Sequence, residues 1–247
     1  MLQPVSAGKS NESARALAAR AWRYRLGSEL EAANHFRILA SALGAADASG
    51  AVVGLALEAA EDELRHAELC RKLVTHFGGT VSSQPTITSR RVAPAELGAR
   101  ERLLYAIVAL SCVTETLSTA ILGELVDRAS DSVAKQAMQS ILRDEVNHSR
   151  IGWAFLAEEH ARGANDCIGE YLPGMLSATV SDDLFAADAA DLGAQELAGF
   201  GVLERGDRRR IVRETLDLVV FPGLERFGID VQAGRNWLRE RVSLGPS

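Results

Sequence analysis

Two short segments of the chain place a histidine three residues after a glutamate: Asp62-Glu63-Leu64-Arg65-His66 and Asp144-Glu145-Val146-Asn147-His148. On a helix this spacing puts both side chains on one face. A carboxylate beside an imidazole is a donor pair suited to iron or manganese. The face that carries Glu63 and His66 also carries Ala56, Ala59, Ala60, Ala67, Cys70, Leu73, Val74 and Phe77, whereas Glu58, Arg65, Glu68 and Arg71 fall elsewhere. Glu145 and His148 share a face with Met138, Ile141, Leu142, Gly152, Trp153, Phe155 and Leu156. Both pairs are therefore expected to point into an apolar core.

Two lone carboxylates extend the set. Glu115 follows the uncharged run Ala109-Leu110-Ser111-Cys112-Val113-Thr114 and is the only charge between Tyr105 and Glu124. Nearer the N-terminus, Glu29 is in phase with Ala32, Ala33, Phe36, Leu39, Ala40 and Leu43, while Glu31 is in phase with the more polar Asn34, His35 and Ile38, so Glu29 is the inward one. Four carboxylates in an apolar core are prohibitively costly unless protonated or matched by cations, and two divalent metals supply the matching charge. A glutamate from each of two helices plus Glu-x-x-His from each of two others is the di-iron or di-manganese carboxylate arrangement. The expected ligands are Glu29, Glu63, His66, Glu115, Glu145 and His148. His35, His76 and His160 have no inward carboxylate three residues before them and read as surface or rim residues.

The elements that must position these residues are helical. Apolar residues make up 47% of the 247 and aromatics 5%, with Ala and Leu carrying the hydrophobic content, and no run alternates as a strand would. A first helix runs from about Asn11 or Ala21 to Leu43, and a second from Asp47 or Ser49 to Phe77, ended by Gly78-Gly79. Residues 80 to 95, with Pro85, Pro94 and many Ser and Thr, read as a long crossover. The third helix covers about Ala95 to Arg128, and the fourth runs from a cap at Ser130 or Asp131 to Arg162, before Gly163. The fold class is all-α, a four-helix bundle over residues 1–162 with its core at about 20–162. Residues 163–247 form a helical C-terminal extension packed on it, interrupted by Pro173, Gly174, Gly199, Gly201, Gly206 and Pro222. Within it the basic run Arg205 to Arg213 reads as a solvated helix start capped by Asp207, with contact to a phosphate or an acidic partner as the alternative. Trp22, Trp153 and Trp237 read as packing residues, Trp153 nearest the bundle core.

The ordered set resembles the ferritin-like superfamily, including rubrerythrins, ferritins and di-iron oxygenases, over roughly residues 20 to 162. The separations of 34 residues (63 minus 29) and 30 residues (145 minus 115) are similar to those of rubrerythrin-type bundles. Asp-Glu-x-Arg-His also resembles the motif of bacterial multicomponent monooxygenases and desaturases, in which the arginine braces the aspartate. Arg65 completes that motif in the first copy and Asn147 departs from it in the second. Asp62 and Asp144 are expected to accept the outer N–H of ligand histidines and fix their tautomers. Thr119, one turn after Glu115 with Ser118 and Cys112 on the same side, resembles the oxygen-side threonine of di-iron oxygenases and is the expected catalytic hydroxyl.

The resemblance implies a ferritin-like oxidoreductase with two iron ions, or manganese or a mixed pair, that activates O2 to hydroxylate or N-oxygenate a small organic substrate. A monooxygenase of this kind needs an external electron donor, a reductase or ferredoxin, because no rubredoxin-like cysteine quartet is present. The alternatives are a peroxide reductase or ferroxidase of the rubrerythrin and ferritin kind, and a metal-free helical interaction module. The extension favours the oxygenase, since it is useful for enclosing a substrate pocket.

Charge and cysteines narrow the setting. A net charge of −6 opposes a broad nucleic-acid or anionic-membrane surface. Cys70, Cys112 and Cys167 lie far apart, encoding neither a disulfide framework nor a zinc site, and Cys70 reads as a small core residue. The start of the chain lacks the apolar core of a signal peptide, and the apolar stretch Leu103 to Val113 is short against the roughly 20 residues of a span. A soluble protein of the cytoplasm is expected, and a homodimer is the assembly to test.

Overall fold

The first hairpin begins with α1 (Ala7–Ala45), which is followed by α2 (Gly50–His76), packed along it. Residues 7–81, 92–163, 168–180 and 194–243 are described by the computed structural model, and among them every regular element is helical. In α1 the buried stripe runs through Trp22, Leu26, Glu29, Ala33, Phe36, Leu39, Ala40 and Leu43, a three-to-four spacing that fits one helix face. The Ser49 hydroxyl caps α2 by accepting from the Val52 N–H at 3.4 Å. Its other end closes at Phe77, where Gly78 takes a φ of 83° and the Gly79 N–H reaches back to the Val74 carbonyl at 2.8 Å.

The third bundle helix is one rod of three parts: α3 (Ala99–Ile107), a π-helical segment (Val108–Glu115) and α4 (Thr116–Arg128). It starts at Ala99 rather than Ala95, because Gly98 is the N-cap and the Glu101 carboxylate accepts its N–H at 2.7 Å. The π-helical turn was not expected from periodicity. Within it the Thr114 hydroxyl donates to the Ala109 carbonyl at 2.8 Å, five residues back. Ser111 secures this segment to the last bundle helix, α5 (Ser132–Arg162), by donating to the His148 carbonyl and accepting the Gly152 N–H at 2.8 Å. The two backbones meet closely: a Cβ on Gly152 would lie 2.5 Å from Cys112 Sγ. Asp131 caps α5 through the N–H groups of Val133 and Ala134, and Gly163, at φ 80°, ends it.

The rod Ala99–Arg128 is long and apolar enough, by length and composition, to cross a membrane, which corrects the reading of Leu103 to Val113 as too short. Its most apolar window is 56% buried in the bundle, so core packing accounts for the composition. Residues 82–91, including Pro85, lie outside the described residues, and with them most of the expected crossover.

The C-terminal part contributes a short 3-10 turn (Gly169–Tyr171), α6 (Leu172–Thr179), α7 (Ala194–Gly199), α8 (Arg205–Thr215), a π-helical turn (Leu216–Val220), α9 (Phe221–Arg226) and α10 (Gln232–Ser243). Leu172, Met175, Leu216, Val220, Phe221, Leu224 and Leu238 join the same buried cluster as Leu103, Ile107 and Phe155 of the bundle. Asp207 is not the cap of α8. Glu204 holds that position, and Asp207, one turn in, pairs with Arg128 of α4. Trp22 and Trp237 are the buried tryptophans, with their indole N–H groups on the Phe200 carbonyl at 3.0 Å and Ser177 Oγ at 2.8 Å. Trp153 is half-buried against Phe227, outside the place nearest the core that its phase suggested.

Candidate metal centre

The four bundle helices bring Glu29, Glu63, His66, Glu115, Glu145 and His148 to one place, each 5% exposed or less. Glu31 is exposed on the opposite side of α1. Donor atoms gather in two groups, Glu29, Glu63, His66 and Glu145 in one and Glu63, Glu115, Glu145 and His148 in the other, each within 4.8 Å. Glu63 and Glu145 belong to both. Glu63 shows how: its Oε2 lies 3.3 Å from His66 Nδ1 and its Oε1 lies 3.0 Å from His148 Nδ1. One carboxylate thus turns one oxygen toward each half of the cluster.

The backs of the histidines are held crosswise. His66 Nε2 on α2 lies 3.1 Å from Asp144 Oδ2 on α5, and His148 Nε2 on α5 lies 3.3 Å from Asp62 Oδ2 on α2. With Nε2 directed at an aspartate on each ring, Nδ1 is the nitrogen that faces the cluster and could offer a lone pair to a metal. Arg65 bonds to both aspartates, to Asp62 one turn before it and to Asp144 across the helix pair at 3.1 Å. The single arginine therefore serves both motifs, and Asn147 instead accepts from Arg150 on the exposed side at 2.9 Å.

Arg25 is the residue that the motif order did not reveal. Its Nε donates to Glu29 Oε1 at 2.5 Å, and its Nη2 donates to Glu145 Oε1 and to Ser118 Oγ, each at 3.1 Å. The available signal was its position four residues before Glu29 on the same face of α1. Ser118 completes this corner by donating to Glu145 Oε1 at 3.0 Å. The Thr119 hydroxyl is buried without a hydrogen-bond partner and does not line the cavity over the cluster, so the structure puts Ser118 against the carboxylates. Cys70 borders the cluster, its thiol 3.9 Å from Glu29 Oε1. Cys112 packs against Gly152, and Cys167 lies outside the described residues. His76 pairs with Asp131 at 2.8 Å, His160 lies 3.1 Å from the Phe227 carbonyl, and His35 lines a separate cavity; none belongs to either donor group.

Charge is distributed unevenly over the six residues. Burial pushes the Glu29 carboxyl well up, against the pull of Arg25 and with the charges of Glu63 and Glu145 adding to it. Burial does the same to Glu115, reinforced by Glu145. Burial also opposes ionisation of Glu63 and Glu145, but it is outweighed: the nearness of His148, His66 and Glu29 holds Glu63 below the usual carboxylate range, and that of Glu115 and His148 holds Glu145 below it. Burial would depress His148, yet its pairing with Glu145 and Glu63 pushes it up to about 10. Without metal, Glu29, Glu115 and His148 each hold a proton more tightly than the free group does.

These protons do not satisfy the site. Glu145 Oε2 and His148 Nδ1 are buried, face the cluster 3.3 Å apart, and have no hydrogen-bond partner with acceptable angles. Orphaned inward donors on a carboxylate and an imidazole are what a cation would satisfy. The cluster fits a di-iron site, with four carboxylates to balance two divalent ions.

Over the cluster lies a cavity of about 420 Å³, lined by Glu29, Glu63, Glu115 and Glu145 and walled in part by Thr179, Val180, Arg208 and Val212 of the C-terminal part. No curated protein and no solved structure matches the chain. The family model for rubrerythrin matches residues 24–154, which is 131 residues (154 minus 24 plus 1) and more than half of the 247. That span contains both Asp-Glu-x-x-His motifs and all four inward glutamates, and the chain belongs to the rubrerythrin family.

Proposed function

We propose that this protein is a di-iron oxidoreductase that uses O2 to oxidise a small organic substrate, by hydroxylation or N-oxygenation. Glu63 and Glu145 would serve both metals, with Glu29 and His66 holding one and Glu115 and His148 the other. Asp62, Asp144 and Arg65 hold the histidines. The pair of irons, or of manganese or one of each, supplies two-electron chemistry toward O2. The chain does the rest: Arg25 and Ser118 hold Glu145, and Ser118 is the hydroxyl placed to give or take a proton at the Glu145 carboxylate. Adding one oxygen atom from O2 to a substrate consumes two electrons and two protons and releases water. The sequence has three cysteines and so no rubredoxin-like quartet, and an external reductase or ferredoxin would provide the electrons. A reducing cytoplasm is the compartment that suits the free thiols of Cys70 and Cys112.

The observation that carries this reading is the cavity over the carboxylates, walled by residues that a bare four-helix bundle does not possess. Family membership favours a second reading, in which the same centre reduces peroxide or oxidises Fe(II). Stopped-flow spectroscopy separates them. The oxygenase reading expects reduced, iron-loaded protein to react with O2 at a rate that an organic substrate alters. It fails if peroxide reacts far faster than O2 and no organic compound changes the kinetics. A metal-free interaction module is tested by elemental analysis of protein purified with iron: two irons per chain exclude it, and a stoichiometry near zero would overturn the metal reading.

A further inference from the structure

The cavity over the cluster has a floor and a wall of different origin. Its floor is the four glutamates, and its wall from the C-terminal part includes Arg208, in the first turn of α8. Arg208 is exposed, and among the described residues its guanidinium makes no hydrogen bond or ion pair. Its neighbours differ. Arg210 binds Glu214 and Glu124, each within 3.3 Å, and Asp207 is taken by Arg128. Arg213 of the same helix is also exposed and, among the described residues, unpaired, but it does not line the cavity; Arg208 does, and its five N–H donors are directed at no described acceptor.

The charge of the lining argues in the same direction, and here the inference rests on the two-metal reading. Glu29, Glu63, Glu115 and Glu145 contribute −4, Arg25 and Arg208 contribute +2, and two divalent ions contribute +4. The loaded cavity is therefore positive by two, within a chain whose net charge is −6. Low-dielectric walls focus such a local field. The apolar share of the lining is made by Ala32, Leu117, Ile121, Val180 and Val212, beside the hydroxyls of Tyr24, Ser28, Thr114, Ser118 and Thr179.

We propose that the substrate is a small organic carboxylate, held by Arg208 at the solvent edge of the cavity so that its apolar body lies along Leu117, Ile121, Val180 and Val212 toward the metal centre. A guanidinium matches a carboxylate with two parallel N–H bonds, and an apolar body packs on the aliphatic side chains of the lining. The basic run of α8, otherwise a solvated helix start, thereby gains a function at this one position. Arg25 does not share this role, because Glu29, Glu145 and Ser118 occupy its donors.

Calorimetric binding to anaerobic Fe(II)-loaded protein tests the inference, with benzoate and hexanoate compared with their neutral amides and with inorganic phosphate, and with metal content measured on the same samples. The carboxylates should bind at least about tenfold more tightly than the amides, the scale of one charge-assisted contact. Arg208→Ala should remove about that factor for the carboxylates and leave amide binding and metal content unchanged, while Arg208→Lys restores part of it. Inorganic phosphate, lacking an apolar body, should bind more weakly than hexanoate, and tighter phosphate binding overturns the proposal. So does equal binding of acids and amides, absence of carboxylate binding to protein with two irons, or carboxylate binding indifferent to Arg208→Ala, which would mark ligation to metal alone. In each of these cases the two-metal reading stands. Protein that takes up no iron overturns both.

Discussion

The two halves of the carboxylate cluster use the same residue types in different surroundings. Glu29 and His66 lie on α1 and α2, regular helices packed along each other, with Arg25 bonded to Glu29 at 2.5 Å. Glu115 and His148 lie on the π-helical segment and α5, where Ser111 and Gly152 hold the backbones close, and there the orphaned atoms Glu145 Oε2 and His148 Nδ1 collect. The first half has a cation of the chain's own bonded to it; in the second, Glu145 Oε2 and His148 Nδ1 are left without a hydrogen bond. Equivalent ligands therefore do not make equivalent sites, because the charge and backbone around a ligand set its proton and metal affinity as much as its type does.

The most severe test of that comparison removes a shared residue. Glu63→Ala and Glu145→Ala are expected to reduce bound iron from two per chain to near zero, whereas Glu29→Ala and Glu115→Ala each retain about one, as read by elemental analysis. Equal loss in all four variants would dissolve the division into halves. Arg65→Ala should weaken iron binding in both halves by roughly 10- to 100-fold, since both outer aspartates depend on it, while Asn147→Ala leaves titrations unchanged. If Arg65→Ala affects a single metal, the crosswise brace is not shared.

Acidity sharpens the comparison further. Iron uptake should release the protons of Glu29, Glu115 and His148, seen as binding enthalpies that vary with the ionisation enthalpy of the buffer. In the metal-free protein the sign follows from raised pKa values. The contribution of Glu29 and Glu115 is fully present below their unfolded value of about 4.5 and is lost as pH rises through their raised folded values. That of His148 is full below its unfolded 6.5 and is lost as pH rises through about 10. Glu63 and Glu145, with depressed values, act oppositely, and their contribution is lost as pH falls below about 4.5. Thermal melts should show metal-free protein losing stability between pH 7 and 10, and loaded protein changing less; parallel curves would contradict the assignment of protons. The smallest effect is expected at the hydroxyls. Ser118→Ala removes a bond to Glu145 and should weaken iron binding by about fivefold, a net hydrogen bond of about 1 kcal/mol. Thr119→Ala should leave it unchanged.

The helices and the inward carboxylates were legible because burial leaves a periodic trace. Glu63 and His66 share their face with Ala59, Ala60, Ala67 and Cys70, and all are buried as that phase requires. Glu29 was separable from Glu31 for the same reason, and Ser49, Asp131 and Gly163 marked helix ends through their own local chemistry. The π-helical segment left no such trace, because backbone bonds that reach five residues back insert a residue without changing the apolar composition around it. Asn147 looked like a broken second motif until α2 and α5 were placed side by side and Arg65 reached Asp144.

Residue order alone thus determined an all-helical chain with six inward donors, since local spacing dictates which side chains share a face. Only the tertiary structure decided that Glu63 and Glu145 belong to both halves, that Arg25 and Ser118 stand at the cluster, and that Arg208, 93 residues beyond Glu115 (208 minus 115), lines the same cavity. These are contacts between elements, and their partners are set by how helices pack and not by any period within one of them.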